Sequence, residues 1–238
     1  MARFGTAMIS SVLILTGSAA GAATFTISSI AGAWDSAVLT DASAATGLGT
    51  STISWGDPVP GAGQSGYDFT ANSTPIINDN PFVLGTFTHL NYPVYGPTLK
   101  TANLKVDVAG DIDGTAFNAT TTYSFLHEET PNVGPCAYAG TTVCPDKVTL
   151  TSSTEVDQLI VVGGVTYRLV IDGFDTGLGP LSYFITEEWQ DNQALLKGRL
   201  EVVAAQVPPP EVPLPGGVWA MAAGLGALGA LRRRRRVA

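Results

Sequence analysis

The sequence predicts an all-β protein: a single β-sandwich of jelly-roll or Greek-key type, flanked by an N-terminal signal helix and a short apolar C-terminal helix. Three observations carry this. Short runs rich in Thr, Val, Ile, Tyr and Phe recur through residues 24–205 at the spacing of strands. Clusters of Gly, Pro, Asn and Asp separate them. No stretch between them repeats its apolar residues at helical spacing.

Taken in order, residues 1–23 read as a signal peptide. Arg3 precedes an apolar core, and the small residues Ala20 and Ala22 fit a peptidase site just before Thr24. A retained N-terminal membrane helix is the alternative. Alternation then begins at Phe25, Ile27 and Ile30 and continues through runs at 33–39, 51–55, 67–70, 82–89, 100–108 and 115–126. Further runs lie at 147–150, 155–162, 165–171, 182–186 and 195–203. Gly163-Gly164 between two apolar runs is a two-residue hairpin signal. Residues 40–50, small and polar, read as a flexible loop, and residues 206–215 (QVPPPEVPLP) as a stiff extended linker.

Charge narrows the partners. Half of the twelve basic residues lie in the two termini, so residues 24–207 hold six basic against nineteen acidic residues, a net of −13. Such a domain repels nucleic acid and anionic membrane surfaces, and suits solubility, divalent cations or basic partners. The two cysteines, Cys136 and Cys144, are expected to pair in an exported chain and to staple a small loop.

Several residues are candidates for chemistry. In an extended Thr88-His89-Leu90-Asn91, His89 and Asn91 share one face and Thr88 takes the other, and Pro93 ends the pairing. His89 suits a metal ligand, a sugar contact, or a structural hydrogen bond tying a turn. One histidine makes a poor zinc site. The metal reading gains if His127, the only other histidine, meets it in space. Asp111 and Asp113 before Gly114 resemble the opening of a calcium loop, though a hairpin turn accounts for them as well. Glu128-Glu129 and Glu187-Glu188 are not catalytic pairs by themselves, since neighbours in a strand face opposite ways. One member of each would have to converge across a sheet. Trp55, Tyr92, Tyr95 and Trp189 suit either a carbohydrate-stacking platform or core packing. No serine-nucleophile elbow, zinc-protease helix or glycine-rich phosphate loop is present.

The C-terminus has three parts in strict order. Val212, Pro213, Leu214 and Pro215 come first. An uncharged apolar run over 216–231 follows, and then Arg232, Arg233, Arg234, Arg235 and Arg236. The run spans roughly 24 Å as a helix, short against a hydrocarbon core of about 30 Å. The five arginines hold that end on the cytoplasmic side. A plain tail anchor or an arginine patch are the other readings.

This tail resembles the PEP-CTERM class of bacterial sorting signals in its VPLPA-type variant, with Gly216 where alanine is usual. The resemblance implies a Gram-negative source, transient residence in the inner membrane, and cleavage by an exosortase, a membrane-embedded cysteine transpeptidase. A second resemblance lies in the domain. Thr88, His89 and Asn91 match the THxN motif of a family of PEP-CTERM surface proteins similar to the choice-of-anchor K domain. Ile53-Ser54-Trp55-Gly56, Glu129-Thr130-Pro131-Asn132, Cys144-Pro145-Asp146, and Gly164-Val165-Thr166-Tyr167 leading to Gly173-Phe174 are similar to the same family. These resemblances imply an extracellular, non-enzymatic surface or exopolysaccharide-matrix protein. A carbohydrate-active enzyme and a calcium-stabilised adhesin stand as alternatives.

Overall fold

A computed structural model describes residues 23–140, 143–151 and 159–205. The signal peptide, the linker, the sorting motif Val212–Pro215 and the arginines Arg232–Arg236 lie outside the described residues, as does the first half of the run expected over 155–162. The chain divides into one unit through Val203 and a second from Ala204.

Among the described residues every regular element is a strand, as the alternation requires. Eleven follow the expected runs: β1 (Phe25–Leu39), β2 (Thr52–Ser54), β4 (Gly66–Ala71), β6 (Phe82–Asn91), β8 (Leu99–Ile112), β9 (Thr115–Glu128), β10 (Asp146–Thr151), β11 (Ile160–Val162), β12 (Val165–Asp175), β14 (Tyr183–Thr186) and β15 (Gln190–Ala205). Four two-residue strands carry no sequence pattern: β3 (Asp57–Pro58), β5 (Ile76–Ile77), β7 (Val94–Tyr95) and β13 (Pro180–Leu181).

They form two large sheets. One has the order β14-β10-β9-β8-β1-β5. The other has the order β11-β12-β15-β6-β4-β2, with β13 beside β12. The pair β3-β7 stands apart. The two large sheets meet through rings. Trp34 and Phe125 come from the first, Tyr67 and Phe87 from the second. Trp34 lies 5.3 Å from Tyr67, and Phe87 stacks 5.5 Å from Phe125. Phe174 of β12 and Phe184 of β14 extend the layer at 5.7 Å. All but Phe184 of these six are at most 1 % exposed. Their burial stabilises by about 2–3 kcal/mol each.

Two local features set the phase of the inward-facing residues. β9 alternates without a break, so Phe117, Ala119, Thr121, Tyr123, Phe125 and His127 all face inward. β6 does not. Its register against β15 slips between Leu196 and Lys197, and the inward series steps from Leu84 to Phe87, then His89 and Asn91. The slip needs Gly85, because a Cβ there would stand 2.5 Å from the Thr70 carbonyl oxygen and 2.7 Å from the Phe69 ring.

Two-residue turns close β8–β9 at Asp113-Gly114 and β11–β12 at Gly163-Gly164, each with positive φ at both positions, the type I′ hairpin geometry. Residues 40–50 are a loop, but a packed one. Ala45 is buried, Thr46 bridges Ser54, and the Gly49 N–H donates to the Trp34 carbonyl at 2.8 Å. Small side chains allow this segment to lie against the sheet where larger ones would hold it away.

Candidate functional site

Beyond the aromatic layer, the interior between the sheets turns polar. The chain has two histidines, and both arrive there. Phe87 and Phe125 are followed at the next inward positions by His89 and His127, whose ring centroids lie 5.1 Å apart. Trp55 and Tyr67 wall them in: Trp55 packs 5.5 Å from His127, and Tyr67 sits opposite His89 in the β4–β6 register.

Three carboxylates join the two rings. Asp146 opens β10, Glu129 follows the last residue of β9, and Glu188 lies where the chain leaves β14 for β15 and crosses from one sheet to the other. The ligand-competent atoms of His89, His127 and Asp146 all lie within 4.8 Å of one another, and so do those of Glu129, Asp146 and Glu188. Asp146 belongs to both groups. His89 and Asp146 have no exposed surface, Glu188 is 1 % exposed, and the Glu129 side chain is 27 % exposed.

Each ring is held by its Nδ1. His89 Nδ1 lies 2.8 Å from Thr186 Oγ1, and His127 Nδ1 lies 2.6 Å from the Tyr67 hydroxyl. Thr186 Oγ1 also donates to the Asp146 carbonyl oxygen at 3.4 Å, so its oxygen accepts from His89 Nδ1–H. That leaves a lone pair on His89 Nε2. Asn91 Nδ2 donates to the Thr186 carbonyl at 3.1 Å. His89 and Asn91 therefore grip Thr186 across the two sheets rather than tying a turn. Thr88, on the other phase of β6, pairs with Gln193 and Asp68 on the neighbouring strands.

The free end of the His127 ring points at the acids. His127 Nε2 is 3.2 Å from Glu129 Oε2 and 3.9 Å from Asp146 Oδ2. Asp146 Oδ1 accepts the Thr130 N–H at 2.7 Å. Its Oδ2, His89 Nε2 and both Glu188 oxygens are buried with no hydrogen-bond partner. The Asn91 and Asn132 amides favour the charged form of Glu188 without reaching hydrogen-bond geometry. Burial, with Glu129 beside it, pushes the Asp146 carboxyl up to about 7, and the same two causes push Glu188 to about 7. Burial, and then the neighbouring His127, hold His89 well below its ordinary value, so this imidazole is neutral. Tyr67 is driven well above the usual phenol range, first by burial and then by Asp146 and Glu129, and keeps its proton.

Chemically, this is a set of two imidazole nitrogens and carboxylate oxygens that converge in the interior, with only Glu129 reaching water. It can hold a cation or share protons. Glu129 and Glu188 converge from different segments, but Glu188 and Asp146 have almost no exposed surface.

Other candidates fall elsewhere. Asp111 Oδ1 accepts the Gly114 N–H at 2.7 Å, and Asp113 Oδ1 accepts the Thr24 N–H at 2.8 Å and its hydroxyl at 3.1 Å. Neither aspartate belongs to a group of three ligands among the described residues. Glu128 faces outward to Lys147 and Tyr138. Trp55 is core, Tyr92 donates to Asp191, and Tyr95 and Trp189 are exposed. Cys136 and Cys144 are joined by a disulfide, which closes the loop between Glu129 and Asp146.

Asp146, Glu129 and Glu188 were not singled out as ligands by the sequence. The signal lay in phase: Phe87-x-His89-x-Asn91 and Tyr123-x-Phe125-x-His127 continue two aromatic inward series into polar residues. Four of the segments quoted for the domain resemblance, around Trp55, His89, Glu129 and Asp146, meet at this one place. Comparison of the sequence with protein-family models and with curated proteins finds no match.

Proposed function

We propose that this is an exported, exosortase-sorted, non-enzymatic protein of the cell surface or exopolysaccharide matrix. Its mature part is one β-sandwich with a Greek-key or jelly-roll path. The observation that carries the proposal is the three-part C-terminus: Val212–Pro215, an uncharged run too short for a comfortable span, and Arg232–Arg236.

Three features of the domain agree with it. The Cys136–Cys144 disulfide suits an oxidising compartment. Cleavage before Thr24 would put the new ammonium group against Asp113, where the Thr24 nitrogen stands 2.8 Å from Oδ1. Strand order also fits a sandwich path, since successive strands leave one sheet for the other at β1–β2, β4–β5, β5–β6, β10–β11, β13–β14 and β14–β15. Its partners are the exosortase during sorting and then exopolysaccharide or another surface component, with no nucleic acid.

Mass spectrometry of the protein recovered from its own host tests this. The expected mature chain begins near Thr24 and ends near Pro215. Secreted material that retains Arg232–Arg236 would overturn the proposal.

A further inference from the structure

We propose that His89, His127, Asp146 and Glu129 form a buried structural site for a zinc-type divalent cation, which locks the two sheets together at their polar end. The inference is independent of how the chain is sorted.

The ligand types select the ion class. Imidazole nitrogens mixed with carboxylate oxygens suit zinc and its first-row neighbours, whereas calcium and magnesium take oxygens alone. Ligands about 2.0–2.1 Å from a tetrahedral ion stand about 3.3 Å from one another. The His127 Nε2–Glu129 Oε2 separation of 3.2 Å already matches, and His127 Nε2–Asp146 Oδ2 at 3.9 Å needs a small contraction.

The surroundings are those of a built site. His127 offers Nε2 to Glu129 and Asp146, and both rings anchor Nδ1 on a hydroxyl, Thr186 for His89 and Tyr67 for His127, the outer-shell arrangement that orients a ligating histidine. For His127 to ligate, its ring proton must sit on Nδ1 and be donated to the Tyr67 oxygen. Asp146 uses one oxygen to accept Thr130 N–H and leaves the other buried and unpartnered, as His89 Nε2 is, and a ring nitrogen of His89 lies within 4.8 Å of an Asp146 carboxylate oxygen. A buried lone pair left without a partner is costly, and this cluster holds several. A dication satisfies them together and offsets the charge of the three acids. Glu188, in one group with Glu129 and Asp146, adds balancing charge. Glu129, the one ligand with solvent-exposed surface, marks the way in.

The cation would act on the fold. Its ligands come from β6 of one sheet and from β9, the residue after it, and β10 of the other. It would clamp the two sheets where the aromatic layer ends, and fix both feet of the disulfide-closed loop.

The test uses the mature chain with its disulfide, stripped with a strong chelator, dialysed, and titrated with zinc chloride at pH 7.5. One zinc per chain and a raised melting temperature are expected. Cobalt(II) in place of zinc should give the intense visible absorption of a four-coordinate ion. Asp146→Asn keeps the acceptor for Thr130 and so preserves the fold, yet should weaken zinc binding by more than about the hundredfold that a lost outer-shell partner can cost. Tyr67→Phe, which removes an anchor and no ligand, should weaken it about tenfold. The proposal is overturned if the stripped chain binds no more zinc than Asp146→Asn and cobalt keeps the spectrum of the hydrated ion. That result would assign the cluster to shared protons and buried water.

Discussion

Two places in the molecule gather acidic side chains, and they are solved in opposite ways. At the Asp111-Ile112-Asp113-Gly114 turn, each aspartate oxygen the fold engages accepts hydrogen bonds from nearby N–H or hydroxyl groups, in contact with water. At the polar end of the interior, Asp146 and Glu188 are buried, and three of their four oxygens have no partner. In sequence the turn resembles the opening of a calcium loop, and a hairpin turn accounts for it as well. The structure shows that local spacing is satisfied by the turn itself. The unsatisfied groups are those brought together by the fold.

The largest effect should come from removing the group that serves both roles. Asp146→Ala deletes the acceptor of the buried Thr130 N–H along with the proposed ligand. Thr130 in turn donates its hydroxyl to the Cys144 carbonyl at 3.0 Å, so the whole loop loses its footing. Urea unfolding at pH 7.5 with zinc present should show a loss of about 3 kcal/mol. A loss below about 1 kcal/mol would place Asp146 in the same class as the exposed turn and erase the contrast.

A smaller effect, with a definite sign, should appear with pH in the chelator-stripped protein. Asp146 and Glu188 have folded values near 7, above their ordinary values of 3.8 and 4.5. Between about 4 and about 7 the folded chain therefore binds more protons than the unfolded one, and stability falls as pH rises. His89 on β6 works the other way, since its depressed value makes the unfolded chain the better proton binder below about 6.5. Two acids against one base leave a net fall, which fades as pH passes about 7. His127 and Glu129 from the β9 end and Tyr67 on β4 face the same groups. Urea midpoints at pH 5 and pH 8 should thus be higher at pH 5. Added zinc should reverse the order, because deprotonated ligands bind it better. A stripped protein that is more stable at pH 8 than at pH 5 would show that the acids are ionised and paired after all.

How much of this was readable beforehand follows from the same contrast. Strands such as β6 and β9 were legible because period-two alternation is local, and the Gly163-Gly164 turn because two positive φ values demand it. Even the inward phase of His89 and His127 was available from the aromatics two residues earlier. What was not legible is which strand ends meet. His127 finds Tyr67 at a sequence separation of 60, and His89 finds Thr186 at 97. No spacing rule connects Glu129, Asp146 and Glu188, because pairing of β10 with both β9 and β14 is what aligns them. The two-residue strands failed for the opposite reason: they are too short to alternate. Residues 40–50 read as a flexible loop from their small, polar composition, yet small size is what lets Ala45 be buried.

The smallest effect belongs to the turn. Asp113 sits at φ 49°, a conformation asparagine adopts as readily, and Asp113→Asn keeps an oxygen for the Thr24 N–H and hydroxyl. What it removes is one exposed charge, worth less than about 1 kcal/mol even against a mature ammonium group at Thr24. Melting curves of wild type and variant should therefore nearly coincide, and calcium should move neither, since Asp111 and Asp113 already spend an oxygen each on the hairpin. Zinc binding by the variant should equal that of wild type. If calcium instead raised the wild-type melting temperature and Asp113→Asn abolished the rise, the exposed turn would be a cation site in its own right. Local hydrogen bonds would then be no guide to which acids a cation can claim, and the distinction between the two acidic regions would have to rest on ligand chemistry alone.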